Sequence, residues 1–436
     1  MSVDTKLAFD QEYIKNFSKD RGEPEWLLNF RLKALELAEK VEMPKPDKTK
    51  IDNWNFTGFK HEVAKADQVT SFDQLHEDVK ALIDENVKEH NLIVQRDATP
   101  IYTQVSDNLK SKGVIFTDIA TAAREHSDLL EKYFMTDAVH VDENRLVALH
   151  AALLNGGVFV YVPKNVVLEE PLQTIFWQEN PEAGLFNHVI VVAEDNSSVT
   201  YVENYVSFDN QVETVANIVA EVYAAPGAKV SFGAVDNFAQ GVTTYVNRRG
   251  YVARDAKVEW ALGQMNDGYT VSENTTHLIG DGSFADSKTV SIGRGEQKQN
   301  FTTNIVHHGK HSEGYILTHG VMRESASSIF NGITKIEHGA AKSNGEQTER
   351  VLMLSERARG DANPILLIDE DDVTAGHAAS VGRIDPLQMF YLMSRGIPKH
   401  EAERLVIHGF LAPVVGQLPV ETVKERLTEV IEGKVK

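Results

Sequence analysis

The sequence contains no cysteine. The chain therefore cannot form a disulfide, carry a persulfide or offer a thiolate to a metal ion. Any reaction at sulfur in which it takes part needs a thiol from another molecule. This absence excludes every function that depends on a cysteine of the chain's own.

Long apolar runs are also missing. The longest, residues 158–162 and 189–193, have the length of strands, whereas a membrane span needs roughly 18 continuous apolar residues. Near the N-terminus, Asp4, Asp10 and Glu12 stand where a signal peptide would carry a basic patch and an apolar stretch. The sequence predicts a cytoplasmic protein that neither enters a membrane nor is exported.

Basic residues are too few for a nucleic-acid-binding protein. There are 64 acidic and 44 basic residues, and the resulting formal charge of −20 repels a phosphate backbone. Nucleotide-binding loops are missing too, since neither residues 280–282 nor residues 293–295 continue into a phosphate-binding pattern that opens a helix. We therefore expect no nucleic-acid partner and no nucleotide site in this chain.

The residues that are present have the balance of an ordinary globular protein. Of the 436 residues, 42% are hydrophobic and 25% charged, which suits two or three folding units. Trp26, Phe30, Ala34 and Leu37 recur at the spacing of one helix face and predict a first helix that ends near Val41. Helices are also predicted over residues 72–86 and 120–134, and short strands at residues 93–95, 101–105 and 114–117. Residues 1–155 are thus predicted to form a mostly helical N-terminal domain.

The pattern of apolar residues changes after Gly156-Gly157. For about two hundred residues, helical spacing is replaced by short β-rich runs separated by Gly, Asn, Asp and Pro. Few hairpin turns occur, and the connecting loops are short and polar. This pattern indicates a solenoid of stacked coils over residues 156–384, although periodicity alone also allows a β-sandwich. The predicted strands are residues 188–193, 198–203, 218–224, 242–247, 257–262, 289–293, 301–307, 315–318 and 328–330.

The last fifty residues return to helices, and residues 385–436 are predicted to form a C-terminal helical domain. Asp385 is placed to cap the first helix, Pro386 occupies its first position, and Arg395-Gly396 closes it. A second helix is predicted from Pro398 to Gly409 and a third over residues 420–431. Such helices cap the open end of a solenoid, dock a partner, or do both.

Two motifs near the C-terminus resemble a known family. Residues 371–382 read DDVTAGHAASVG and residues 390–397 read FYLMSRGI, and this pair resembles the acidic turn, histidine and helix signature of the SufB/SufD family of iron–sulfur cluster assembly subunits. Residues 151–171 and 320–332 are similar to the family's first and late coils.

This resemblance implies a mainly β protein, a right-handed parallel β-helix formed as a single-stranded solenoid, flanked by helical N- and C-terminal regions. It further implies a non-catalytic scaffold subunit of an ATP-dependent complex. The subunit would pair with SufB through the β-helix ends and bind the SufC ATPase through its C-terminal helices. No cofactor would be bound stably, while an iron–sulfur cluster would be present transiently in the complex with SufB.

The resemblance also supplies the candidate site residues. His377 is the candidate ligand of the nascent cluster, because an imidazole can replace a thiolate on iron. The chain departs from many family members at Ala375, where they have cysteine, and at Leu367, where they have glutamate. The motif turn is predicted to comprise Asp371, Asp372, Gly376 and Gly382. The residues predicted to dock SufC are Phe390, Tyr391, Arg395, Gly396 and Leu405.

Other residues suggest different chemistry. A histidine-dense stretch could hold a metal ion, but neighbours on a strand point to opposite faces, so we expect solvent-facing or ladder histidines. The acidic run Asp369 to Asp372 could serve glycoside cleavage, but such a run is usually a solvated turn. The alternatives to a scaffold are therefore a β-helix enzyme acting on polysaccharide and a structural homodimer joined end to end. The histidines of the stretch are His307, His308, His311, His319 and His338.

Overall fold

The N-terminal region contains helices and three short strands that join the sheets of the rest of the chain. The computed structural model describes residues 9–62, 66–83, 91–207, 212–418 and 420–435. The helices are α1 (Gln11–Arg21), α2 (Glu25–Lys40), α3 (Glu77–Lys80), α4 (Asp107–Ser111), α5 (Ile119–Glu125), α6 (Ser127–Tyr133) and α7 (Arg145–Leu153), and the strands are β1 (Asn91–Arg96), β2 (Thr99–Gln104) and β3 (Ile115–Asp118).

The predicted helix over residues 72–86 is wrong. Its described part consists of a 3₁₀ turn at Phe72–Gln74 and the single turn α3, because the backbone is extended at Leu75 and His76 between them. Leu75, Val79 and Ile83 nevertheless pack into one apolar cluster, which explains their helical spacing. Residues 84–86 of the prediction lie outside the described residues.

Sixteen strands follow and wind into a solenoid of about eight coils, each made of two strands. The predicted parallel β-helix is thereby confirmed, and the alternative of a β-sandwich is wrong. The strands are β4 (Gly156–Val162), β5 (Leu172–Gln178), β6 (Leu185–Ala193), β7 (Ser198–Ser207), β8 (Thr214–Ala224), β9 (Lys229–Asn237), β10 (Val242–Val252), β11 (Lys257–Gln264), β12 (Thr270–Leu278), β13 (Phe284–Gly293), β14 (Lys298–His307), β15 (Glu313–Met322), β16 (Ser327–Ile336), β17 (Asn344–Met353), β18 (Arg359–Ile368) and β19 (Thr374–Arg383).

The coils stack as two sheets. The even sheet contains β4 and every even-numbered strand to β18, all parallel, with β3 added antiparallel to β4. The odd sheet contains β5 and every odd-numbered strand to β19, all parallel, with β1 pairing parallel to β5 and β2 antiparallel to β1. Side chains alternate between the two faces of a strand, so each strand sends every second residue into the space between the sheets.

The interior of the solenoid changes from apolar to polar along its length. In the early coils it is filled by residues such as Phe176, Phe232 and Trp260. In later coils buried polar side chains meet across the two sheets, as when Ser287 Oγ donates to Asn274 Oδ1 at 3.4 Å. A buried polar group that finds no partner there costs free energy, because water is excluded.

The N-terminal helices cover the outer face of the even sheet. There a fully buried hydrogen-bonded chain links α7 to two strands: His150 Nε2 lies 3.0 Å from His188 Nδ1, and His188 Nε2 lies 2.9 Å from Glu221 Oε1. Burial raises the pKa of Glu221 to about 8 and lowers that of His188 to about 3, so the contact at neutral pH is between a carboxylic acid and a neutral imidazole.

The C-terminal helices are α8 (Pro386–Ser394), α9 (Lys399–Val415) and α10 (Glu421–Val435). The predicted cap of α8 is confirmed, because the Asp385 carboxylate accepts a hydrogen bond from Leu387 N at 2.8 Å. The predicted end of the second helix at Gly409 is wrong. That helix, α9, continues to Val415 because Leu411 and Val414 pack on the odd sheet.

The helices α9 and α10 pack along the side of the odd sheet, so of the alternatives for the C-terminal helices, these two do not cap the open end. Val423 and Leu427 of α10 approach the odd sheet closely at two glycines. A Cβ at Gly233 would lie 2.3 Å from Val423 Cγ2, and one at Gly263 would lie 2.2 Å from Leu427 Cδ2. Because pairing and packing contacts cross residues 155/156 and 384/385, the predicted division into three domains stays a prediction.

Candidate functional site

The C-terminal end of the solenoid leaves two sheet edges open. β18 is the last strand of the even sheet and β19 the last of the odd sheet, and no further described strand pairs with either. At the other end, the edge of β2 is covered: Val69 N donates to Ile101 O at 2.8 Å, and the Gln68 amide donates to Pro100 O at 2.7 Å. Open edges present unpaired backbone N–H and C=O groups to a partner.

Apolar residues that belong to the interior are exposed at this end. Ile368 pairs in register with buried Ile336, and Val381 with buried Val351, yet Ile368 and Val381 are 41% and 43% exposed. The next coil that would cover them is not supplied by the described chain. The end is therefore an apolar surface bordered by unsatisfied backbone groups.

His377 lies in the middle of β19 at this surface. It pairs with Gln347, and the corresponding inward-facing position in earlier coils is occupied by Phe232 and Trp260. His377 is therefore the last residue of this interior column, the row of side chains that share one inward-facing position in successive coils. The side chain is exposed because no coil follows. Among the residues that the structure describes, none forms a hydrogen bond or an ion pair with the His377 ring, so its nitrogens are available to a ligand.

A buried carboxyl group lies one coil below. Glu349 is only 1% exposed, and neither of its carboxyl oxygens has a hydrogen-bond partner among the described residues. Burial raises its pKa to about 7. Opposite it stands Gly332, where a Cβ would lie 1.7 Å from Glu349 Oε1, so the glycine provides the space for the carboxyl group. The sequence analysis missed Glu349, although its position between interior-facing Gln347 and Val351 marks it as an inward residue.

Both polar atoms of the neighbouring Gln347 side chain have a hydrogen-bond partner. The side chain accepts a hydrogen bond from Thr334 Oγ1 at 3.0 Å and donates one to Ile365 O at 3.2 Å. The inward-facing residues of β17 next to His377 are therefore polar: the amide of Gln347 and the carboxyl group of Glu349.

The acidic run forms a turn between β18 and β19 that is held by the preceding coil. The Glu370 carboxylate accepts hydrogen bonds from Gly339 N at 2.9 Å and from Asp371 N at 3.2 Å, and the first of these holds its pKa below the ordinary value. Lys342 Nζ lies 2.7 Å from the Asp372 carboxylate. The interpretation of the run as a solvated turn is confirmed.

The predicted motif turn is wrong in its extent. Asp371 and Asp372 lie in the turn, but Gly376 and Gly382 lie within β19, because that segment pairs residue for residue with β17. A Cβ at either glycine would meet nothing within 4 Å. In the isolated chain, neither position therefore requires glycine for lack of space.

The helix α8 presents a second apolar surface. Leu387, Phe390, Tyr391 and Met393, which we call the α8 apolar face, are 75%, 71%, 57% and 46% exposed. Arg395 places its guanidinium 5.2 Å from the Tyr391 ring centroid.

The other predicted docking residues are at or near α8. Gly396 ends the turn after α8 with φ of 88°, a left-handed conformation that favours glycine. Leu405 on the neighbouring helix α9 is exposed too. An exposed apolar patch of this kind marks an interaction surface.

The histidine-dense stretch does not come together. His307 is buried inside the solenoid, with its Nδ1 2.9 Å from Ser312 Oγ. His319 lies on the outer face of the odd sheet, and its Nδ1 donates to Phe410 O at 2.8 Å. His311 lies in a turn with φ of 55°, and exposed His338 lies 3.7 Å from Glu370. The fifth, His308, faces His277, a residue outside the predicted stretch.

Two absences hold for the described ranges. No helix there is long and apolar enough to cross a membrane. No group of three or more His, Asp or Glu side chains there is arranged to hold a metal ion.

The substitution Glu349→Gln tests the buried carboxyl group. Because its folded pKa lies above the ordinary value of 4.5, the native free energy of unfolding falls as pH rises from about 4.5 to about 7. Glutamine cannot ionise, so we expect the variant's advantage to grow with pH and reach on the order of 2 kcal/mol near pH 8. Urea unfolding near pH 5 and pH 8 measures this, with exposed Glu346→Gln as control. An equal difference at both pH values would contradict the assignment.

Comparison with known proteins agrees with this architecture. A family model described as "SUF system FeS cluster assembly, SufBD core domain" matches residues 176–410, and one described as "SufBD protein N-terminal region" matches residues 21–174. The chain is 65% identical over 437 residues to the iron–sulfur cluster assembly protein SufD of Bacillus subtilis, covering 100% of both chains. It is 28% identical over 428 residues to iron–sulfur cluster assembly SufBD family proteins of Staphylococcus haemolyticus and Staphylococcus aureus, covering 96% of this chain and 91% of each relative. The chain therefore belongs to the SufBD family of iron–sulfur cluster assembly proteins.

Proposed function

We propose that this chain is a non-catalytic scaffold subunit that acts in the cytoplasm by joining SufB and the SufC ATPase and by offering an imidazole to a nascent iron–sulfur cluster. One observation carries the proposal. The two sheets end at β18 and β19, so no further coil covers the inward-facing side chains of these strands. His377 is exposed there among apolar residues and unpaired backbone groups.

The SufB side of the proposal rests on the open sheet edges. A second solenoid that adds its own strands to β18 and β19 would satisfy the unpaired backbone groups and cover Ile368 and Val381. SufB is the proposed occupant because it belongs to the same family and would bring strands of the same kind. In the absence of SufB, a second copy of this chain is the alternative occupant of the same end.

The role in cluster assembly rests on His377. A partner docked at β18 and β19 would enclose its ring at the junction of the two subunits. The chain has no cysteine, so thiolate ligands for the cluster must come from SufB. The cluster is cargo, held transiently in the complex, and this chain contributes one imidazole to it.

The SufC side rests on the α8 apolar face. Its four exposed side chains lie on a helix at the side of the open end, and helix-to-surface docking uses such rows of apolar anchors. Since the sequence carries no phosphate-binding loop, the ATP dependence of the complex would reside in SufC. Nucleotide-driven movement of SufC could then reach β19 through the short connection between β19 and α8.

His377→Ala should lower cluster formation without preventing assembly of the complex, because the change removes a ligand and leaves both sheet edges intact. The complex co-expressed with SufB and SufC would be reconstituted anaerobically with iron and a sulfide source, and bound iron and sulfide counted per complex. Ser380→Ala, at another exposed position of β19, is the control and should not alter the yield. An unchanged yield with His377→Ala would remove this residue from the site.

Val381→Lys should abolish pairing with SufB, because it places a charge inside the surface that a second solenoid must cover. Val167→Lys makes the same change at a valine that is 57% exposed in the connection between β4 and β5 and should leave pairing intact. Size-exclusion chromatography with light scattering separates the single subunit, a homodimer and the SufB pair. If Val381→Lys binds SufB as the native chain does, the open end is not the interface.

Phe390→Asp should release SufC while leaving the SufB pair intact, because an ionised side chain in the α8 apolar face cannot be desolvated at low cost. Val167→Asp is the matched control. Co-purification of SufC with a tagged version of this chain measures the effect. Retention of SufC by Phe390→Asp at native stoichiometry would move the docking surface elsewhere.

A further inference from the structure

A pair of histidines lies on the outer face of the even sheet, away from the sheet edge at β18. His277 Nδ1 and His308 Nε2 are 3.3 Å apart, and the two rings lie at an interplanar angle of 28° with centroids 5.5 Å apart. We propose that these two imidazoles form a binding site for one first-row divalent transition-metal ion, such as Zn²⁺ or Fe²⁺. The site is independent of His377 and of the proposed function.

The parallel stacking of the coils holds both residues in place. His277 is the penultimate residue of β12 and pairs in register with Val306 of β14. His308 follows β14 directly, and its backbone N–H donates to Leu278 O at 2.9 Å. The two histidines are 31 residues apart, about one coil, so the winding of the chain sets them side by side.

The separation of the two nitrogens fits joint ligation. With Zn–N bonds of 2.0–2.1 Å and a tetrahedral angle, two ligating nitrogens lie about 3.3–3.4 Å apart. Without a metal, one ring N–H donates to the lone pair of the other ring. Ligation only requires each ring to carry its proton on its other nitrogen, and this change of tautomer needs no movement of the backbone.

Both rings are in the form that binds metals. Burial, together with the neighbouring His308, lowers the pKa of His277 to about 4. Burial also lowers the pKa of His308. Both imidazoles are therefore neutral near pH 7, and a metal ion does not have to displace a proton from either of them.

Charged side chains of both signs lie around the pair. On the His277 side, Arg249 and the Glu143 carboxylate act on the ring and lie 3.2 Å from each other, and His140 is a further neighbour. On the His308 side, Lys335 and Glu337 form an ion pair. These two carboxylates and two cations cancel, so binding of a metal ion would rest on the two imidazoles and not on the local charge.

Two imidazoles alone make an open site. Because the described residues supply no third ligand in place, the remaining coordination positions would be filled by water or by a donor from another molecule. Such a site exchanges its ion readily and does not serve as a structural centre. It would suit transient binding of a metal ion at the surface of the solenoid.

Titration of the full-length, metal-free chain with Zn²⁺ alone, and with Co²⁺ as a spectroscopic probe, tests the proposal. We expect one site per chain that binds the ion more tightly than any other position of the chain, and a visible Co²⁺ absorption band shifted by nitrogen ligation. His277→Gln and His308→Gln should each weaken binding by at least about tenfold, since even loss of an outer partner of a ligand costs 10–100-fold. The double variant should show no metal site of comparable affinity.

Two control variants separate this site from other histidines. His338→Gln changes the exposed histidine in the corresponding turn of the next coil, and His377→Gln changes the one at the open end; both should retain native metal affinity. Circular dichroism of every variant should match the native chain, because all four substituted histidines are exposed or half-buried. Native affinity in His277→Gln and His308→Gln, or loss of binding only in His377→Gln, would overturn the proposal.

Discussion

Parallel stacking of coils is the constraint on which the rest of this structure depends. Each strand satisfies its backbone on one side with the coil before it and on the other with the coil after it, so a stack must either be closed at its ends or remain unsatisfied there. At the N-terminal end the antiparallel strands β2 and β3 complete the sheets, and the segment at Gln68 and Val69 covers the edge of β2. At the C-terminal end β18 and β19 have no such cover, since α9 and α10 lie along the side of the odd sheet. The open end is thus a consequence of where the C-terminal helices pack.

The change of the interior from apolar to polar has its own consequences. In the middle coils Arg248 is buried between the carboxylates of Glu203 and Asp236, each 2.8 Å from its guanidinium. Such a group is tolerated inside only because both charges meet it. Glu349, near the open end, has no such partner and keeps its proton at a higher pH instead. The unpartnered carboxyl group therefore costs the last coils free energy that the partnered charges in the middle do not cost. A partner that adds coils beyond β19 would bury more of this region and compensate for it.

Much of the fold could be predicted from the sequence where pattern and burial agree. The helix α2 and the cap of α8 follow from apolar spacing and from Asp385-Pro386, and most strands with apolar interior residues follow from alternation, although β5 and β9 were not predicted. The strands β12 and β17 were not predicted, because their inward positions hold Asn274, Gln347 and Glu349, so that polarity does not alternate. The location of His377 on a strand, and not in a turn, could not be predicted either, because β19 consists of small residues whose only order comes from pairing with β17. The neighbours His277 and His308 meet through coil length, which a sequence without a repeated motif does not reveal.

The central claim is that the edges of β18 and β19 are completed by strands of another subunit. Hydrogen–deuterium exchange of the backbone amides, measured for this chain alone and for its complex with SufB, tests it most directly. We expect the amides of residues 374–383 that point away from β17 to exchange quickly in the isolated chain and to become strongly protected in the complex, while those of the interior strands β8 to β12 change little. Exchange at residues 374–383 that is equally fast with and without SufB would contradict it.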